Sequence, residues 1–384
     1  MSDSRRPFVT TEQVKDILVS VYHHHPTTIT ELPSFMDRNF LVESATLDRC
    51  VLKVTNPDES TNDGKLKALV DVALVLKNNG FLCPVHLPNI HGNMFTKRGF
   101  PVPLQDSPQE DCCVRLLTYL PGEPLDSCLP LHRKETYFML GVLLAELHDV
   151  LKDFPTYCLQ VEKDNRWIAE NAGILENYLL TTQEDDIRDI ARSVLEDFQS
   201  NLSAKHGSLQ KGVIHGDLNL ANIIVKPQLP GSQLVDYRED GKQLFGIIDF
   251  NEVCYTYRVA DIAQLIFGAM QKSKAGQQEV LRIGGHVISG YLSIRALGAS
   301  DLEMLYDFML IYSCQIVVFG EHSIRQQKNG NTYIQGLVDG SKRWLRFLKS
   351  VSRKSVCGVW NDILVDYGIH STHAIQNRSS ANDA

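Results

Sequence analysis

The stretch Val213-Ile214-His215-Gly216-Asp217-Leu218-Asn219-Leu220-Ala221-Asn222-Ile223-Ile224-Val225 governs the reading of the whole chain. Its β-branched ends are strand formers suited to a buried sheet. The polar residues between them form a loop pinned at both sides. Within that loop an acid is followed five residues later by an asparagine. Phosphoryl transfer to a hydroxyl needs this combination. Asp217 can accept the proton of the attacking hydroxyl and orient it, and Asn222 can offer its amide oxygen to a hard cation. His215 reads as a structural residue that bonds the loop backbone, not as a base.

A second piece follows closely. Phe245-Gly246-Ile247-Ile248-Asp249-Phe250 places a carboxylate at the end of an apolar strand. Alone, Asp249 would be an ordinary turn former. Beside the first loop it becomes the second ligand for Mg²⁺ bridging nucleotide phosphates. The third piece is Lys53, on the short strand Cys50-Val51-Leu52-Lys53-Val54. A lysine there can reach the α- and β-phosphates, although in isolation it would be read as part of a solvated strand face.

Working outward, residues 10–21 form a short amphipathic helix capped by Thr10 or Thr11, with Val14, Ile17, Leu18 and Val21 on one side. Residues 40–42 and 50–54 read as two strands joined by a hairpin around Leu47-Asp48. Residues 65–77 read as a helix with Leu66, Leu69, Val70, Ala73 and Leu74 as its apolar positions, ended by Asn78-Asn79-Gly80. Residues 85–87 and 114–120 are further strands, the latter broken by Pro121-Gly122. Beyond Pro121 the pattern turns helical at 137–151, 172–180 and 186–202. A β-rich centre spans 212–225 and 244–250, and helices return from 259 to about 360. Residues 226–242 read as a surface loop. The fold expected is α+β with two lobes: residues 1–120 as a small β-rich nucleotide-binding lobe and 121–369 as a larger helical lobe. Residues 370–384 are expected to form a disordered tail.

The bulk properties agree with this plan. At 384 residues the chain can bury two cores. A net charge of -8 argues against a nucleic-acid partner, while leaving a nucleotide screened by a cation acceptable. The first ten residues lack a signal-peptide apolar segment, and no apolar run is long enough to span a bilayer. Nine scattered cysteines with no CxxC pair read as reduced thiols and a cytoplasmic location. His23-His24-His25 carries no metal reading, because adjacent side chains point apart.

These residues resemble the protein-kinase-like superfamily and, within it, the aminoglycoside/choline kinase branch. The His-Gly-Asp-Leu-x-x-x-Asn signature is matched by residues 215–222, and Ile-Asp-Phe by 248–250. Asp261 matches the acid that braces the catalytic loop. Residues 31–40, 114–122 and 284–287 are similar to the hydroxylysine kinases in particular, so the likeness runs from about residue 10 to 350. It implies GTP-dependent phosphorylation of 5-hydroxy-L-lysine, with Mg²⁺, in lysine breakdown; ATP is the alternative nucleotide. It further implies that residues 34–39, Ser34 and Asn39 included, cover the phosphates. Thr118, Tyr119 and Leu120 would form the hinge backbone that bonds the base.

The chain also departs from the family. The helix acid that pairs with the strand lysine is replaced by Lys67, whose charge opposes that pairing. Asp71, one turn on, is the favoured substitute, and Asp63 the second. Met36 stands where the phosphate loop would carry an acid, and Asn251-Glu252 replaces Gly-Asp after Phe250. Competing readings within the fold are a choline, homoserine or aminoglycoside kinase. A protein kinase is disfavoured, because eleven residues between Asp249 and Asp261 leave no room for an activation segment. A nucleotide-binding pseudokinase is the reading from a different class.

Overall fold

The computed structural model describes residues 6–34, 36–45, 48–102, 109–128, 132–161, 163, 165–226, 241–326 and 332–369. The expected tail at 370–384 and most of the loop at 226–242 therefore lie outside the described residues.

The first helix, α1 (Thr11–Tyr22), begins with a reciprocal cap. The Thr10 hydroxyl accepts from the Gln13 N–H, and the Gln13 side chain accepts from the Thr10 N–H. Strands β1 (Pro26–Leu32), β2 (Arg38–Ser44) and β3 (Cys50–Val54) then run antiparallel. After α2 (Asp63–Asn78) come β4 (His86–Leu87), β5 (Thr96–Phe100) and β6 (Glu110–Thr118). The sheet order is β1-β2-β3-β6-β4, with β5 also on β6. One face of this sheet buries Phe40, Leu52, Val54, Val114 and Leu116 against Val14, Leu18 and Val21 of α1. Alternation then turns Asn39, Lys53 and Arg115 to the opposite face. The register sets these three side by side, Asn39 opposite Lys53 and Lys53 opposite Arg115.

The larger region opens with β7 (Glu123–Pro124) and α3 (Lys134–Val150). A run of 3₁₀ turns over Ala169–Thr181, kinked at Asn171, replaces the helix expected at 172–180. Next come α4 (Asp185–Lys205), β8 (Lys211–Ile214), β9 (Ile223–Val225), α5 (Gly241–Leu244), β10 (Phe245–Ile247) and β11 (Cys254–Tyr257). The chain ends in α6 (Arg258–Lys272), α7 (Gln277–Ile294), α8 (Ala299–Gln326), α9 (Thr332–Ser350) and α10 (Arg353–Asp366). Helices α3 and α7 cross at glycines. A Cβ on Gly290 would lie 1.8 Å from the Phe138 carbonyl oxygen, and one on Gly141 2.0 Å from that of Val287. Helix α8 is long and apolar enough to cross a membrane, yet 83% of its apolar stretch is buried among the other helices, as a core helix would be.

Two separate apolar clusters result. The smaller joins α1 to the sheet, and the larger unites the helical region. The buried side of α2, with Leu69, Val72, Ala73 and Leu76, belongs to the larger cluster. Its burial differs from the expected stripe, since Leu74 is 51% exposed.

Candidate active site

The short strands form two pairs that hold the chemistry. β8 pairs with β11, and β9 with β10. The loop from β8 to β9 and the segment from β10 to β11 both cross between these pairs, so they run side by side. The Ile248 N–H bonds the Asn222 carbonyl at 3.0 Å. Gly216 has φ 81° and comes so close to the second segment that a Cβ would lie 2.2 Å from the Glu252 carbonyl oxygen. Only glycine meets both conditions.

Asp261, in the first turn of α6 and fully buried, braces the loop from below. Its carboxylate accepts from the His215 N–H at 2.7 Å and the Gly216 N–H at 2.8 Å. His148 of α3 adds a third bond through Nε2 at 3.2 Å, while its Nδ1 meets the Tyr291 hydroxyl at 2.9 Å. Burial lowers the His148 pKa, and Asp261 works the other way without reversing it. His215 Nε2 donates to the Ile248 carbonyl at 3.1 Å, and its Nδ1 accepts from the Asp217 N–H at 3.3 Å. Burial holds this imidazole neutral by lowering its pKa. His215 is thus a backbone strut.

Asp217 is held by two amides. Asn219 Nδ2 donates to Oδ1 and Asn222 Nδ2 to Oδ2, each at 2.9 Å. The Asn222 amide nitrogen also donates to the Asp217 carbonyl at 2.8 Å. This orients Asn222 so that Oδ1, engaged in no hydrogen bond among the described residues, is available to a cation. The Asp217 carboxyl is pushed up to about 8, first by burial and then by the negative charge of Asp249. A carboxyl shifted that far takes up a proton near neutrality and becomes a free proton acceptor as the pH rises through about 8.

Asp249 sits in left-handed backbone, φ 63° and ψ 73°, an uncommon conformation for a residue with a Cβ. Its Oδ1 lies 2.6 Å from Lys53 Nζ. Burial, the largest single effect, would raise this carboxyl, but the Lys53 ammonium and its hydrogen bond, with His215 and Arg115, together outweigh it and the net direction is downward. The oxygens of Asp249 and Asn222 form a donor set suited to Mg²⁺. Among the described residues no compact cluster of three or more His, Cys, Asp or Glu side chains adds to it.

Lys53 does not pair with either acid expected from the helix. Asp71 lies exposed on α2, on the side turned from the core, as does Lys67. Asp63 bonds Lys97 at 2.7 Å. The second partner of Lys53 is Asp37, 3.3 Å away, on the loop between β1 and β2. This acid stands one residue beyond Met36. Asp37 Oδ1 accepts from the Asn56 N–H and side-chain amide at 3.0 and 3.1 Å, and Oδ2 accepts from Asn251 Nδ2 at 2.6 Å. Asn251 Oδ1 in turn accepts from Arg115 at 3.0 Å. Asp37 falls inside the expected phosphate loop 34–39 and Asn251 stands only as a departure after Phe250, while Asn56 and Arg115 carry no expected site role. The sequence reading joins none of the four to the network around Lys53. The one available signal was Arg115, a charge inside the otherwise apolar run from Cys112 to Leu117.

The remaining expected contacts are placed as follows. The Ser34 hydroxyl donates to the Asp37 carbonyl, shaping the loop. Asn39 Oδ1 and Arg115 Nε are buried without a hydrogen-bond partner among the described residues. Along the hinge, the Thr118 N–H bonds Val85 at 2.9 Å and the Tyr119 N–H bonds Arg49 at 3.1 Å. Of these three amides, that of Leu120 forms no such bond among the described residues.

The loop–segment pair, the strand lysine and the brace beneath them define a phosphotransferase site. Residues 28–297 match the phosphotransferase enzyme family (APH), and the chain belongs to that family. It is similar along nearly its whole length to two curated hydroxylysine kinases. That of Xenopus laevis is 25% identical over 378 residues, covering 95% of this chain and 96% of the relative. That of Mus musculus is 26% identical over 377 residues, with the same coverage. Among solved structures, amicoumacin kinase hAmiN in complex with AMP-PNP, Ca²⁺ and Ami aligns with a TM-score of 0.63 at 14% identity. The alignment covers 89% of this chain and 94% of that one, a likeness of fold.

Proposed function

We propose that the enzyme transfers the γ-phosphate of GTP to the hydroxyl of 5-hydroxy-L-lysine. The observation that carries the chemistry is the Asp217–Asn222–Asp249 constellation; the substrate rests on the similarity to hydroxylysine kinases. In this reading the acceptor hydroxyl lies against Asp217, which orients it and takes its proton. Asn219 and Asn222 hold the carboxylate in place. Lys53 contacts the phosphates, and Asp249 with Asn222 Oδ1 holds Mg²⁺. The cation, when bound, offsets the charge of the phosphate oxygens. Asn39, opposite Lys53 in the sheet, and Ser34, in the loop before β2, would meet the phosphates, and the Leu120 N–H would offer a donor to the base. Glu252 is close enough to Asp217 to help raise its carboxyl, giving the acceptor side a negative character suited to a substrate with two ammonium groups. The nine unpaired cysteines suit the reducing cytoplasm.

Purified protein given Mg·GTP or Mg·ATP should release diphosphate nucleotide faster with 5-hydroxy-L-lysine than with lysine, choline or homoserine. Lysine is the decisive control, since it lacks only the hydroxyl. Equal release with lysine would mean uncoupled hydrolysis and remove this substrate. Turnover with another amino alcohol alone would keep the kinase and replace the acceptor.

A further inference from the structure

We propose that Asp37 is the positioning residue for Lys53, doing from the loop between β1 and β2 what no acid on α2 does here. The inference rests on the reading above, in which Lys53 contacts nucleotide phosphates. The Lys53 and Asp37 side chains are only 9% and 7% exposed and lie 3.3 Å apart. Burial alone would strip the charge from a lysine, so an ammonium kept in this place needs a fixed carboxylate beside it. Asp249 is such a carboxylate, but its oxygens are also the ones required by a cation. Asp37 is the partner that remains when Asp249 turns to that task.

The surroundings of Asp37 fix it in place. Asn56 grips one oxygen through two donors, and Asn251 grips the other. Asn251 is itself anchored by Arg115, the neighbour of Lys53 across the sheet. Two adjacent cations, Lys53 and Arg115, thus face two carboxylates, Asp37 and Asp249, with Asn251 as the bridge. Asn251 lies two residues after Asp249, at a position where glycine could make none of these bonds. The phosphate loop, the lysine strand and the metal segment are thereby tied through one carboxylate. A positively charged side chain gains from this what a helix acid would give: a single direction for its ammonium.

The test is nucleotide binding by calorimetry, without acceptor, for the parent, Asp37→Asn, Lys53→Met and the double variant, each with Mg·GTP and Mg·ATP. Asp37→Asn keeps the shape and the Asn56 bonds, and should weaken nucleotide binding by roughly tenfold or more. In the Lys53→Met background the same change should add less than about twofold, because the two residues act as a unit. Steady-state kinetics should show the nucleotide KM raised and kcat lowered with the acceptor KM unchanged, and Asp37→Glu should recover part of the loss. If Asp37→Asn does not fold, Asn251→Ala, which loosens Asp37 without removing its charge, should give the same pattern at smaller size. Affinity losses that simply add, or a variant that binds like the parent, would overturn the assignment. A parent protein that binds neither nucleotide overturns the kinase reading itself and this inference with it.

Discussion

Lys53 Nζ and Asp249 Oδ1, from residues 196 apart in the chain, lie 2.6 Å from each other. The ammonium that would hold phosphates thus neutralises the carboxylate that would hold their cation. Asp249→Ala should abolish the Mg²⁺-dependent part of nucleotide binding and leave a weak, Mg²⁺-independent remainder through Lys53. Calorimetry with and without Mg²⁺ measures this. An unchanged Mg²⁺ dependence would remove Asp249 from the metal site.

Asp217→Asn preserves shape but not basicity. Turnover should fall by roughly 10²- to 10⁴-fold while nucleotide affinity changes little. Single-turnover rates beside binding constants check both halves. A variant with parental turnover would show that the hydroxyl proton leaves by another route.

Gly216→Ala should cost activity out of proportion to stability. Its φ of 81° is strained for alanine, and the new Cβ would meet the Glu252 carbonyl oxygen at 2.2 Å. A backbone oxygen cannot swing aside, so the loop carrying Asp217 must move. The strain is about 1 kcal/mol before the clash is counted. Gly358→Ala on α10, with nothing within 4 Å, is the control and should be neutral or stabilising. Turnover and melting temperature of both variants decide the matter.

His86 predicts a pH effect. Burial, then the charges of Arg115 and Lys53, lower its pKa from 6.5 to about 3. Between those values the unfolded chain binds a proton that the folded chain refuses, so this histidine makes stability rise with pH up to about 6.5. Both ring nitrogens are buried without partners, so His86→Leu strands no other group. The variant should show a flatter melting temperature between pH 5 and 6.5, by at most about 1.4 kcal/mol per pH unit at the steepest. Parallel curves for variant and parent would contradict the burial of a neutral imidazole.

The legible part of the site is the part fixed by local spacing. His215, Asp217 and Asn222 lie between two apolar strands, and Asp249 ends a third. His215, Asp217 and Asn222 share one short loop, and the pairing of the next strands, β9 with β10, brings Asp249 beside it; the α+β plan follows from the same strands. Asp37, Arg115 and Asn251 were not legible, because their relation arises from sheet register and from a loop crossing to another segment. The expectation for Asp71 failed for a different reason. Helical periodicity told that Lys67 and Asp71 share a face, but not which way that face looks. The stripe chosen from the sequence included Val70 and Leu74, whereas the helix buries Val72 and Leu76, rotating the acid into solvent. Strands β1 and β5 went unread because their outward-facing polar residues leave little apolar alternation to detect.

The rooting of α2 in the larger apolar cluster has a mechanical result. The chain passes between the two clusters three times: from Val54 to Ala68, from Cys83 to Leu87, and from Leu116 to Leu125. A sheet tethered at one point could swivel freely, whereas three tethers resist torsion and leave bending about a shared axis as the soft direction. Asn56 lies on the first tether and the backbone of residues 119–120, proposed to meet the base, on the third. A nucleotide seated between them would load two of the three at once, so occupancy and cleft angle should change together, and loosening a single tether should free neither.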